Sequence, residues 1–167
     1  FPDHAYDTNY GLSESIGPGC VHLGVENEHK VGAIGKAGFG WKVKIVDEND
    51  SNKILPPYEQ GEIALRGPAV AKGYWGNEEK TKSASLDDGW FLTGDAGYLD
   101  EDNRLFITDR KKDMMVMSGW KIYPTEVEEV LIKYPAVKEI AIFSINDCHR
   151  GEIPVAAVVW EDAADDE

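Results

Sequence analysis

TDRKKDMMVMSGWKIYPTEVE, residues Thr108–Glu128, sets a knot of charge (Asp109, Arg110, Lys111, Lys112, Asp113) between two apolar runs. Burying such a knot is expensive, so it reads as an exposed connection, a hinge between two lobes. Beyond it, Met114–Met117 and Trp120–Tyr123 read as strands turning at Ser118-Gly119, with the methionines as core packing. Pro124 then opens a helix. Glu126, Glu128 and Glu129 sit near the positive end of its dipole, and Val127, Val130 and Leu131 form its inward face. Tyr134-Pro135 closes that helix, and two apolar segments, 137–145 and 153–160, flank a turn at Asn146-Asp147.

Upstream, Tyr98-Leu99 and Leu105-Phe106-Ile107 enclose a polar turn and predict a hairpin. Thr93-Gly94-Asp95 follows the strand-like Trp90-Phe91-Leu92. An aspartate there can reach out of a sheet toward a sugar diol, or simply close an Asx turn. Asn77-Glu78-Glu79-Lys80-Thr81 predicts an N-capped helix of two turns ending at Ser85. Two alternating runs, Trp41–Val46 and Gly61–Arg66, predict an antiparallel β element interrupted by Pro56-Pro57. Residues 1–22 read as a glycine-rich loop carrying Tyr10-Gly11-Leu12-Ser13-Glu14 and Gly17-Pro18-Gly19. An aromatic, a hydroxyl and a carboxylate in that order suit a base, a phosphate and a hydrated magnesium ion; an ordinary polar turn would look the same.

Composition narrows the classes. The 167 residues carry a net charge of −14, which argues against a nucleic-acid or anionic-membrane binder. Cys20 and Cys148 stand apart, and His4, His22, His29 and His149 are scattered, so neither a disulfide framework nor a zinc site is indicated. The isolated cysteines make a reducing cytoplasm the expected location, and no apolar run of about 20 residues or leader pattern is visible in the sequence. The chain starts at Phe1 with a functional-looking segment, so it is expected to be a piece of a longer protein; its acidic end, Glu161–Glu167, reads as solvated.

These signals fall in a fixed order: Tyr10–Glu14, Gly61-Glu62-Ile63, Gly73-Tyr74, Gly89-Trp90, Thr93-Gly94-Asp95, Asp109-Arg110, Ser118-Gly119 and Pro124–Glu128. The ordered set covers nearly the whole chain and resembles the adenylate-forming superfamily of acyl-CoA synthetases, peptide-synthetase adenylation domains and beetle luciferases. The resemblance implies an α+β fold. Residues 1–109 would end a large AMP-binding lobe, with a small antiparallel β-barrel-like subdomain from about residue 32; 110–112 would be the hinge, and 113–167 the start of a small α/β lobe. It further implies that Tyr10 stacks on adenine, with Asn9 and Gly11 shaping the base pocket. Ser13 would touch the α-phosphate, Glu14 would hold Mg2+, and Asp95 would accept from both ribose hydroxyls. Arg110 would contact ribose and phosphate, Ile107 would line the nucleotide site, and Lys112 would be the pivot. Gly119 would line the pantetheine tunnel and Lys121 approach the CoA phosphate.

The implied cofactors are ATP/AMP, Mg2+ and coenzyme A, and the implied partners are a carboxylic acid, ATP and CoA, with a homo-oligomer admitted. The implied reaction makes an acyl-AMP and pyrophosphate, then a thioester after the small lobe rotates. Medium or long fatty acids are the expected acids, although Tyr10–Gly19 also resembles aryl-acetate ligases. A carrier-loading adenylation domain and a noncatalytic nucleotide-binding module are the alternatives. Pro124-Thr125-Glu126-Val127-Glu128 resembles the CoA ligases, and the retained Tyr10, Ser13, Glu14, Asp95 and Arg110 speak against an eroded site. The family's pyrophosphate loop and its late catalytic lysine are absent, so this piece alone is expected to be inactive. Val116 stands where relatives often have lysine.

Overall fold

The computed structural model describes residues 8–22 and 30–161. Expectations placed on Phe1, His4, His29 and residues 162–167 lie outside the described residues, as does the side chain of His22. The chain divides into two compact units, Phe1–Ile107 and Thr108–Glu167.

The first unit opens with a hairpin of β1 (Thr8–Leu12) and β2 (Gly17–His22), in which Tyr10 lies opposite Cys20. One 3-10 turn, Ser13–Ser15, joins them. The Ser15 hydroxyl accepts from the Leu12 amide at 2.8 Å and lies 2.9 and 2.7 Å from the carbonyl oxygens of Leu12 and Gly17, which closes the turn. The loop expected over residues 1–22 is therefore a hairpin from Thr8 onward. β3 (Lys36–Ala37) adds a third strand beside β2.

A second sheet follows from β4 (Lys42–Val46) and β5 (Gly61–Arg66), antiparallel as the alternation predicts. Helix α1 (Glu78–Ala84) is capped by the Asn77 side chain, which accepts from the Lys80 amide at 2.9 Å, with Glu78 and Glu79 in its first turn. Then come β6 (Ser85–Leu86), β7 (Trp90–Leu99) and β8 (Leu105–Arg110). The order is β4-β5-β7-β6, with β8 paired to β7. Barrel closure, expected for this subdomain, does not form among the described residues. β6 is only two residues long, the outer side of β4 meets only Ile54 in a single bridge, and these two strands end the order. β5 runs through the middle with Glu62–Leu65 buried. Ile45, Ile63, Leu65, Cys20 and Leu105 pack around Tyr10 as one core cluster. Each large aliphatic residue there contributes about 1.5–3 kcal/mol by leaving water.

The β7–β8 turn is held by Asp100, 1% exposed, whose Oδ1 accepts from the amides of Asp102 and Arg104 at 3.0 and 2.8 Å. Lys30 and Arg104 approach Oδ2 at 3.3 and 3.6 Å. Burial alone would raise this carboxyl's pKa. The Arg104 amide, the Lys30 ammonium and the Asp102 amide outweigh burial and hold it below the usual carboxylate range.

The second unit contains β9 (Met115–Met117), β10 (Trp120–Ile122), α2 (Pro124–Leu131), β11 (Val137–Asp147) and β12 (Gly151–Trp160), with sheet order β10-β9-β12-β11. The β9–β10 turn has Ser118 at φ 51° and Gly119 at φ 86°. A Cβ on Gly119 would meet nothing within 4 Å, so here the glycine answers to backbone conformation rather than to crowding. The β11–β12 turn is 148–150 and so begins two residues later than expected, because Asp147, the last residue of β11, accepts at Oδ1 from the amides of His149 and Arg150 at 2.9 and 2.7 Å. The architecture is α+β, mostly sheet, with two short helices among the described residues.

Candidate functional site

In the first unit the site begins at β7, where Gly94 bends the strand. It adopts φ 77°, a left-handed conformation that a side chain would strain. The Gly94 amide donates to Glu62 Oε1 at 3.2 Å, and Glu62 is 5% exposed. On either side of the glycine, the Thr93 hydroxyl donates to the Ile63 carbonyl at 2.8 Å and accepts from the Asp95 amide at 3.2 Å. Two adjacent strands thereby fix the backbone of Thr93-Gly94-Asp95.

Tyr10 meets that turn from β1. Its hydroxyl donates to Asp95 Oδ2 at 2.6 Å, a short bond of the kind expected when the acceptor is a carboxylate. Tyr10 is 7% exposed, so most of the ring is built into the core, and its hydroxyl faces both Asp95 and the Thr93 side chain. Burial, then the Asp95 bond, pushes the Tyr10 phenol far above its usual range and keeps it a donor. Opposite it in register, burial pushes the Cys20 thiol up to about 12. Asn9, Gly11 and Ser13 flank Tyr10 on the exposed side of the hairpin.

Glu14 is anchored to a different segment. The Tyr74 hydroxyl donates to Glu14 Oε1 at 2.8 Å, and the Ala71 amide donates to the Glu14 carbonyl at 2.7 Å. Tyr74 is in turn tied to α1: its amide donates to Thr81 Oγ1 at 2.8 Å, and Lys80 Nζ lies 3.9 Å above its ring. Partial burial, then Glu14, raises the Tyr74 pKa. Among the described residues no group of three or more His, Cys, Asp or Glu could hold a metal ion. A single placed carboxylate nonetheless suits magnesium, which takes most of its ligands from water and substrate phosphate.

In the second unit Asp109 grips two amides, accepting from Arg110 at Oδ1 (2.7 Å) and from Thr125, in the first turn of α2, at Oδ2 (3.1 Å). A cavity of about 420 Å3 opens beside it, lined by residues including Lys112, Pro124, Glu128 and Glu152. Arg110, Lys112, Gly119 and Lys121 are exposed; Ile107, at the end of the first unit, is 37% exposed. The Val116 amide donates to Glu152 Oε2 at 2.6 Å.

The structure brings Tyr10 and Asp95 into contact and ties Glu14 to a partner that sequence reasoning left without a role. Tyr74, Glu62 and Thr93 are the residues that reasoning missed as supports. Gly73-Tyr74 next to a capped helix, and an acid in the middle of the apolar run Gly61–Leu65, were the signals available.

Residues 5–75 match the model of the AMP-binding enzymes, and residues 126–167 match that of the AMP-binding enzyme C-terminal domain. The chain belongs to the adenylate-forming, AMP-binding enzymes. Among individual relatives, it is 42% identical to a long-chain-fatty-acid–CoA ligase of Bacillus subtilis, over 93% of this chain and 27% of the relative. ATP-bound MatB from Rhodopseudomonas palustris superposes with a TM-score of 0.86 at 35% identity, over 98% of this chain and 32% of that one. The o-succinylbenzoate coenzyme A synthetase of Bacillus subtilis, in complex with ATP and magnesium, gives 0.78 at 37% identity, over 92% and 31%. This chain spans about three-tenths of the length of the curated relatives it matches. No helix among the described residues is long and apolar enough to cross a membrane.

Proposed function

We propose that this chain is the nucleotide-gripping and hinge portion of an AMP-forming acid–thiol ligase. In the first half-reaction a carboxylate attacks the α-phosphorus of ATP, the bond to the β,γ-phosphates breaks, and acyl-AMP and pyrophosphate form. In the second, the CoA thiol gives up its proton and attacks the acyl carbon, and AMP leaves with its carboxyl-side oxygen. The observation that carries this reading is the buried Tyr10–Asp95 bond flanked by exposed Asn9 and Gly11, in a chain matched by the AMP-binding family.

In this reading Asn9, Tyr10 and Gly11 lie under the adenine and Asp95 takes the ribose hydroxyls. Ser13 donates to the α-phosphate, and Glu14, held by Tyr74, orients a magnesium ion that offsets phosphate charge. Arg110 and Ile107 complete the nucleotide's surroundings, Lys112 is the pivot, and Gly119 and Lys121 face CoA. A cytoplasmic location accords with these substrates. The acid is a medium or long alkanoate; the similarity to an o-succinylbenzoate synthetase supports an aromatic acid as the second reading. Hydroxamate trapping with the full-length enzyme across an alkanoate and aryl-acid panel tests both. Alkanoates should dominate; dominance of aryl acids would transfer the assignment, and no acid-dependent pyrophosphate release would end the ligase reading.

A further inference from the structure

The backbone of Asp95 is already fixed without Tyr10. Strand pairing holds β5 against β7, Glu62 holds the Gly94 amide, and Thr93 holds the Asp95 amide. What these contacts leave unset is the rotation of the carboxylate about its own side-chain bonds. The Tyr10 hydroxyl bonds that carboxylate, from a ring immobilised among Cys20, Ile45, Ile63, Leu65 and Leu105. A rigid, core-anchored donor 85 positions away in sequence therefore reaches the carboxylate itself, which bonds to the backbone amides do not orient. That rotation matters because a carboxylate accepts well from two adjacent hydroxyls only in a narrow range of orientations.

We propose that Tyr10, through its hydroxyl, is a positioning residue for Asp95 and sets the enzyme's selectivity for ribose without touching the ribose itself. The inference rests on Asp95 being the ribose-binding carboxylate. It gives Tyr10 a function separate from any contact of its ring with the base. Because burial keeps the phenol protonated, the selectivity does not change between pH 6 and pH 9 through loss of this donor.

The test compares AMP with 2′,3′-dideoxy-AMP by isothermal titration of the full-length enzyme and its Tyr10→Phe variant. The wild type should prefer AMP by about tenfold or more, and Tyr10→Phe should compress that preference to about threefold or less, as loss of one charge-assisted hydrogen bond predicts. Affinity for dideoxy-AMP should stay within about twofold, since that ligand lacks the hydroxyls Asp95 reads. Tyr10→p-aminophenylalanine, which keeps a donor at the same place and the same ring volume, should restore the preference. Equal weakening of both ligands would reduce Tyr10 to stacking or packing, and an unchanged ratio, or no rescue, would equally overturn the proposal. A wild type that does not distinguish the two ligands would fail one step earlier, by removing Asp95 from the ribose, and the proposal would fall with it.

Discussion

The Tyr74 hydroxyl donates to Glu14 Oε1 at 2.8 Å across 60 positions of sequence, so a residue in the loop before α1 holds the carboxylate at the hairpin tip. Tyr74→Phe should leave the fold intact, costing about 1 kcal/mol in a urea melt, because only one hydrogen bond is lost. In the full-length enzyme it should raise the magnesium concentration needed for half-maximal pyrophosphate exchange about fivefold to tenfold, since Glu14 is then free to rotate. An unmoved magnesium dependence would show that Glu14 does not serve the metal.

Asp95→Ala has two separable costs. Loss of the paired bonds to ribose should weaken ATP binding by about 2–4 kcal/mol. The Tyr10 hydroxyl, left buried without its acceptor, should lower folding stability by about 1–3 kcal/mol. Adding Tyr10→Phe to Asp95→Ala should recover most of the stability and none of the ATP affinity. A double variant no more stable than Asp95→Ala would mean the hydroxyl finds another acceptor.

The two cysteines should differ sharply in reactivity. Cys148 is exposed, whereas Cys20 is fully buried with its thiol pushed up to about 12. The thiolate is the reactive form, so an aromatic disulfide reagent at pH 8 should titrate one thiol in the folded chain and two in urea. Two fast thiols in the native protein would contradict the Tyr10–Cys20 packing.

Asp100 makes the fold sensitive to acid. Its folded pKa is depressed, so its contribution is complete above the unfolded value of about 3.9 and disappears as pH falls through the lower folded value. Asp47, held down by the Asn49 amide, and Asp147, held down by the His149 and Arg150 amides, act in the same direction. Denaturant melts between pH 5 and pH 2 should show stability dropping below about pH 4, with a shallower drop in Asp100→Asn. An identical acid limb in that variant would remove Asp100 from the linkage.

Lys112 sits in the 3-10 turn Lys111–Asp113. Fixing its φ near about −65° with Lys112→Pro restricts rotation there. If it is the pivot, the full-length variant should keep acyl-AMP formation within about threefold and lose thioester formation by about a hundredfold, as a blocked conformational step predicts. Comparable loss of both half-reactions would make Lys112 structural.

Much of the local structure was legible because it obeys short-range rules. Asn77 caps α1, Pro124 opens α2, and alternation marks β4 and β5. The Thr8–His22 hairpin was not, since Gly11, Gly17 and Gly19 give a turn-like composition and its closure depends on a single buried hydroxyl, Ser15. The Asx turn that was one reading of Gly94-Asp95 is instead a bend inside one ten-residue strand, because Glu62 and Ile63 on the next strand supply the partners that carry β7 through Gly94. Open ends on the second sheet were likewise beyond reach, as strand order is a matter of long-range pairing that periodicity does not encode. For the candidate site, the residue types were readable from ordered motifs, but the supports were not. Tyr74 and Tyr10 find their carboxylates 60 and 85 positions away.

The Asp100 clamp also bears on how the chain acquires its shape. Its amide contacts reach only two and four residues ahead, so the β7–β8 turn closes with little loop entropy, on the microsecond scale of an isolated hairpin. The Tyr10–Asp95 bond must wait for the segments between its ends to collapse. During synthesis, then, the joining of β1 to β7 through Tyr10 and Asp95 is among the last features of the first unit to appear, whereas the Asp100 turn is among the first.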